Sequence, residues 1–135
     1  MANIPPGAWV VVAGVKQARL FHNAGAQDAP RLKQDGVIAL DTVDAEGQGP
    51  SGSRPRNENP ERIEEATFSK QLANHLNTAA VARSFDHLFI VADPKTLGDI
   101  RPLLHPETLK RITGELNKSL VNADVEAIEK VLREH

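Results

Sequence analysis

The sequence predicts a mixed α/β sheet with helices on its faces. Two short apolar runs, Trp9-Val10-Val11-Val12-Ala13 and Leu88-Phe89-Ile90-Val91-Ala92, have the length and composition of buried strands. Between them, Phe68, Leu72, Leu76, Ala79 and Ala80 form a single apolar stripe at helical spacing. A hairpin of strands followed by alternating βα units is the third sign, because such units bring helices onto the sheet.

Each element follows from local patterning. Trp9–Ala13 is β-branched and ends at Gly14. Ala18, Leu20 and His22 alternate with Arg19 and Phe21, as in a second strand, and the short link through Gly14-Val15-Lys16-Gln17 makes the pair an antiparallel hairpin. Asn23 to Pro30 is rich in turn residues. Leu32 to Leu40 reads as a third strand around Val37-Ile38-Ala39-Leu40, interrupted at Asp35-Gly36. Asp41 to Pro60 differs in kind, with three glycines, three prolines and almost nothing apolar, and is expected to be a mobile loop. A long helix then opens at Pro60 and Glu61, where Glu64 and Glu65 complement the helix dipole, and closes at Arg83-Ser84.

Leu88–Ala92 is apolar throughout, as in a strand covered on both faces, and stops at Asp93-Pro94. Thr96 with Asp99 three positions on resembles a capping box, which predicts a short helix over 96–104, limited by Pro102. Leu109 to Leu120 fits either a helix, through Leu109, Ile112 and Leu116, or a helical turn followed by a strand at about 113–118. Val125, Ile128, Val131 and Leu132 form the stripe of a last helix that begins near Asn122 or Asp124.

Composition narrows the function classes. A chain of 135 residues fits one domain, read here as 1–135 with the mobile loop at 41–60. It contains no cysteine, which removes disulfide frameworks, zinc ribbons and thiol nucleophiles. Sixteen Lys and Arg against 18 Asp and Glu leave a net charge of −2, so no global field draws the molecule to nucleic acid. One Trp and four Phe, mostly inside apolar runs, leave little for a base-stacking platform. No segment approaches the ~20 apolar residues of a membrane span, and Met1 to Pro6 has no basic region of a secretory signal; a cytoplasmic protein without membrane contact is expected.

The ordered series Trp9–Ala13, Ala18-Arg19-Leu20-Phe21, Phe68-Ser69-Lys70-Gln71-Leu72-Ala73, Leu88–Pro94 and Leu97-Gly98-Asp99-Ile100-Arg101 resembles the bacterial host attachment protein family, also described as proteins required for attachment to host cells. That family is related to the middle domain of eukaryotic and archaeal peptide-chain release factors. The resemblance spans nearly the whole chain outside 41–60. It implies a three-layer α/β/α fold with a mixed sheet of about five strands and ribonuclease H-like, release-factor middle-domain topology. It also implies that the release-factor catalytic loop would fall between the third strand and the long helix. Release factors carry Gly-Gly-Gln there, whereas this chain carries Gly47-Gln48-Gly49. Two further departures are Gly14, where relatives carry an acid after the first strand, and Asn57-Glu58-Asn59-Pro60, which lacks the histidine expected before the long helix.

The residues themselves assign no catalytic group, cofactor or metal ligand. A two-metal nuclease needs clustered carboxylates, and the first strand has none; Asp41 and Asp93 read as turn and cap residues at strand ends. His22, His75, His87, His105 and His135 show no ligand spacing. Ser51 and Ser53 lie outside any nucleophile elbow, and Gly47-Gln48-Gly49-Pro50 is not a phosphate-binding loop. Two polar groups remain as partner-binding candidates. Arg54, Arg56 and Arg62, with Gln48 upstream and Lys70 about two turns on, offer forks for phosphate, against the plainer reading of a solvated arm neutralised by Glu58, Glu61, Glu64 and Glu65. Asp93, Lys95, Thr96 and Arg101 follow the fourth strand, where open α/β sheets bind ligands; Lys110 and Arg111 are expected to crowd the same edge, against helix capping and solvation. The leading function is a non-catalytic module that binds ribosome or RNA through the Arg-bearing loop. The alternatives are a hydrolase acting on an ester or phosphodiester such as peptidyl-tRNA, with Gln48 placing water, and an indirect role in attachment to host cells.

Overall fold

The computed structural model describes residues 4–39 and 60–134, with the backbone alone at 60–62. Its elements are β1 (Trp9–Ala13), β2 (Gln17–Asn23), β3 (Leu32–Ala39), α1 (Pro60–Val81), β4 (Leu88–Ala92), α2 (Pro94–Ile100), a 3₁₀ turn (Arg101–Leu103), α3 (Pro106–Leu109), β5 (Ile112–Asn117) and α4 (Val125–Glu134). The strands form one sheet in the order β3-β2-β1-β4-β5. β2 is antiparallel to both β1 and β3, while β1–β4 and β4–β5 are parallel. The mixed five-stranded α/β sheet expected from the sequence is present.

Alternation along the central strands builds two cores. Val11, Leu20, Leu88 and Ile90 face α1 and meet Phe68, Leu72 and Leu76, with Leu97 and Ile100 of α2. Val10, Val12, Phe21, Phe89 and Val91 face the other way and meet Ile128 and Leu132 of α4, together with Ile4. Each of these larger side chains contributes about 2 kcal/mol through burial. All five residues of β4 are buried, as the uninterrupted apolar run predicts.

The element ends show where local chemistry acts. The expected interruption at Asp35-Gly36 is a β-bulge within a continuous strand: Leu20 pairs with Gly36 and Phe21 with Gln34, so Asp35 is the extra residue. Asp35 turns its carboxylate to His22, whose Nδ1 is 2.9 Å from both oxygens. At the end of α1, the Ser84 N–H donates to the Ala79 carbonyl (2.8 Å) and the Arg83 N–H to the Ala80 carbonyl (3.0 Å). This is a Schellman ending, and Arg83 takes the left-handed position, φ +59°, that glycine usually fills.

The capping-box expectation is corrected. The cap of α2 is Asp93, not Thr96, so the helix begins at Pro94, whose fixed φ suits a first turn. It gives way to the 3₁₀ turn at Arg101, just before Pro102. The ambiguous 109–120 stretch resolves into α3 followed by β5, because Gly114 and Leu116 are needed to continue the sheet beside Phe89 and Val91. Gly114 is required sterically: a Cβ there would stand 2.7 Å from Phe89 Cε2.

Two asparagines tie the loops down. Buried Asn23 donates to the Ile4 and Ala26 carbonyls and accepts from the Gly25 and Arg31 N–H groups, which closes the β2–β3 turn and seats the N-terminal segment. Asn77 accepts from the His105 N–H and the Thr108 hydroxyl and donates to the Leu103 carbonyl, clamping the α2–α3 connection against α1.

Gly114→Ala is expected to lower the unfolding free energy by about 1–3 kcal/mol, since Phe89 must shift inside a filled core. Gly36→Ala, where nothing lies within 4 Å of a new Cβ, is expected to change it by less than about 0.5 kcal/mol. Urea unfolding of the two variants checks the pair; equal losses would contradict the Phe89 packing.

Candidate functional site

The carboxyl end of β4 carries the polar cluster singled out in the sequence. Asp93 Oδ1 accepts from the Thr96 hydroxyl (2.7 Å) and Oδ2 from the Thr96 N–H (3.1 Å), so these two residues hold one another and start α2. Thr96 is buried. Lys95 pairs with Glu65 of α1, and Arg101 with Glu115 of β5. On the hairpin side, Lys16 pairs with Glu64 at 3.2 Å. Glu65, Ser69, Lys70 and Asp99 surround a small hollow of about 190 Å³ between α1 and α2. The rim is therefore nearly neutral, with a carboxylate set against each of Lys16, Lys95 and Arg101.

Lys110 and Arg111 do not join this group, contrary to expectation. The Arg111 carbonyl accepts from the Leu88 N–H at the opposite end of β4, because β5 runs parallel to β4 and the residues just before it meet the beginning of that strand. Both cations hold Glu107, at 3.0 and 2.9 Å. Their hydrogen bonds, Lys110 first and Arg111 second, lower the Glu107 carboxyl below its usual range. Arg62 lies in the first turn of α1, and its side chain is not described. Gln48, Arg54, Arg56 and the segment 41–59 of the expected mobile loop lie outside the described residues.

Gly14 is explained by packing. A Cβ at this position would stand 2.9 Å from Val121 Cγ1 in the connection after β5. Arg19 secures that connection from below, donating to the Val121 and Ala123 carbonyls while its guanidinium lies 5.0 Å above the Phe21 ring. An acidic side chain at position 14 would have to displace Val121. Among the described residues, no group of three or more His, Asp or Glu gathers as a metal site. No described helix is long and apolar enough to cross a membrane.

A wider concavity than this hollow lies elsewhere. A groove of about 920 Å³ runs between the outer side of α1 and the edge strand β3, closed at one end by Trp9. Gln71, Asn74, His75 and Thr78 form its wall, and 37–39 of β3 form its floor. Gln71 Nε2 donates to the Ala39 carbonyl (2.9 Å), which spaces the wall from the floor. The Trp9 ring leans on buried Phe85, with centroids 4.7 Å apart, and lies near-parallel to the His75 ring at 6.4 Å. The sequence reading, which took Trp9 as a strand residue only, missed this place. Its signal was present all the same: positions 71, 74, 75 and 78 repeat at i, i+3, i+4 and i+7, a second, polar stripe beside the apolar one.

The sequence model of bacterial archaeo-eukaryotic release factor family 12 matches residues 7–132, and the chain belongs to this family. The kinship to release factors that the motif series implies is thus shown, and the chain carries a release-factor-like domain. No curated protein matches the sequence.

The lowered Glu107 carboxyl adds stability that is fully present above its unfolded value of about 4.5 and is lost as pH falls through its folded value. Urea midpoints of the parent and Glu107→Gln should therefore differ at neutral pH and converge in acid, as the pH falls below 4.5 and through the lowered folded value. A difference that persists undiminished in acid would contradict the role of the two cations.

Proposed function

We propose that this member of the release-factor family is a non-catalytic domain that attaches to ribosomal or transfer RNA surfaces. The observation that carries the reading is membership of the family across 7–132, combined with the position of the arginine-bearing segment in the chain. Arg54 and Arg56 fall between β3 and α1, where the release-factor resemblance puts the catalytic loop of release factors. Arg62 and Lys70 follow on α1 itself.

Chemistry supports a binding role over hydrolysis. Gln48 stands between two glycines instead of after a pair, so the backbone pattern that presents a release-factor glutamine to an ester is missing. The carboxylates set against Lys16, Lys95 and Arg101 leave the β4 rim little excess charge for an anionic partner. Attraction to phosphate then falls to Arg54 and Arg56, whose planar forks suit bidentate contact. Asp93 and Thr96 act in this reading by holding α2 in place beside Lys95 and Arg101. The setting is cytoplasmic, where ribosomes and transfer RNA are available.

The full chain is expected to bind ribosomes or transfer RNA at low salt, with log K falling linearly against log salt. The double variant Arg54→Gln, Arg56→Gln should weaken binding and flatten that line by about 0.7–0.9 per lost phosphate contact. Sedimentation with ribosomes over a salt series measures both. Absence of association at the lowest salt would remove the proposal.

A further inference from the structure

We infer that the groove between α1 and β3 is a stacking site for an unpaired base of single-stranded RNA, with Trp9 and His75 as its aromatic walls and Arg83 as its phosphate contact. This inference rests on the RNA-binding reading above and gives it a location among the described residues. It also revises the expectation that the aromatic residues leave little for base stacking.

Three observations favour a base over other occupants. The first is the ring arrangement. Trp9 is half-buried and propped by Phe85, so its position is set before any ligand arrives, while exposed His75 extends the aromatic surface outward. Flat π-faces of this kind bind bases with little dependence on sequence. The second is the polar inventory. Gln71 and Asn74 carry amides, and Thr78 and Ser84 carry hydroxyls, which together donate to and accept from the edges of a base. The third is charge. No Asp or Glu lines the groove among the described residues, although the chain has 18. Arg83 sits between Ala82 and Ser84, both of which line it. The Arg83 side chain is exposed, and it has no ion-pair partner among the described residues. It occupies a left-handed position where glycine carries no steric penalty, so the backbone alone does not account for an arginine.

The wall offers an extended strand about 15 Å of helix from Gln71 to Val81, with Trp9 as the stop at one end. A base inserted beside Trp9 would leave its phosphate near the close of α1, within the range of a long arginine side chain.

Trp9 is the single tryptophan of the chain, so its emission reports on the groove directly. The full chain is titrated at low salt with a labelled short oligoadenylate RNA and with an abasic oligomer of the same length; label anisotropy reads binding and tryptophan emission reads stacking. The expected result is quenching by the oligoadenylate and none by the abasic oligomer. His75→Ala should weaken oligoadenylate binding by at least about fivefold. Arg83→Gln should flatten the salt dependence by about 0.7. Both residues are exposed, so neither substitution removes a buried side chain. Oligoadenylate that binds without altering Trp9 emission, with His75→Ala binding like the parent, overturns the groove assignment and leaves the RNA-binding reading standing. Ribosome binding without any response to the oligoadenylate does the same. Emission that changes with protein concentration in the absence of RNA identifies a second copy of the chain as the occupant and also overturns the assignment. Failure of both the oligomers and the ribosomes overturns the underlying reading itself.

Discussion

The fold depends on β1 and β4 being covered on both faces. Lying side by side at the middle of the sheet, they send Val11, Leu88 and Ile90 under α1 and Val10, Val12, Phe89 and Val91 under α4. A charged side chain at any of these positions would be stranded without a partner, at a cost far above what one contact contributes. The central strands are therefore apolar from end to end, and polar chemistry is displaced to the strand ends, the connections and the outer side of α1.

That displacement explains the arrangement of the polar groups. The connections are held by side chains that complete backbone hydrogen bonds: Asn23 closes the turn after β2, Asn77 clamps the turn before α3, and Asp93 begins α2. Arg19 does the same for the connection after β5, with two carbonyls as acceptors. Among the described residues, no fully buried side-chain polar atom lacks a partner. The strand-end rim balances cations with carboxylates from neighbouring elements, which suits cohesion between those elements more than capture of a charged ligand.

The groove differs from the rim in the character of its surface. It lies at the margin of α1's apolar stripe, where Ala79 reaches its lining opposite 37–39 of β3. Val37 is 53% exposed there, beside amides, hydroxyls and two rings. An apolar floor with sparse polar readers is the usual composition of a ligand site. In the RNA-binding reading proposed above, such a surface serves contact through bases.

The strands at 9–13 and 88–92, the long helix that closes before Arg83-Ser84, and the last helix are legible in the residues alone. Each is specified by a period or an uninterrupted run that burial on one or two faces demands. Boundaries set by a single capping bond were less legible: Thr96 and Asp93 both satisfy a cap pattern, and only the geometry of Pro94 in the first turn separates them. The bulge at Asp35 and the burial of Ile4 were not legible either, because each depends on a neighbour distant in the chain. Tertiary structure alone decided which cations share an edge, since parallel pairing of β4 and β5 sends Lys110 and Arg111 to the far end from Lys95. It alone brought Trp9 beside His75, because side chains 66 positions apart meet only once a helix has been laid across the sheet.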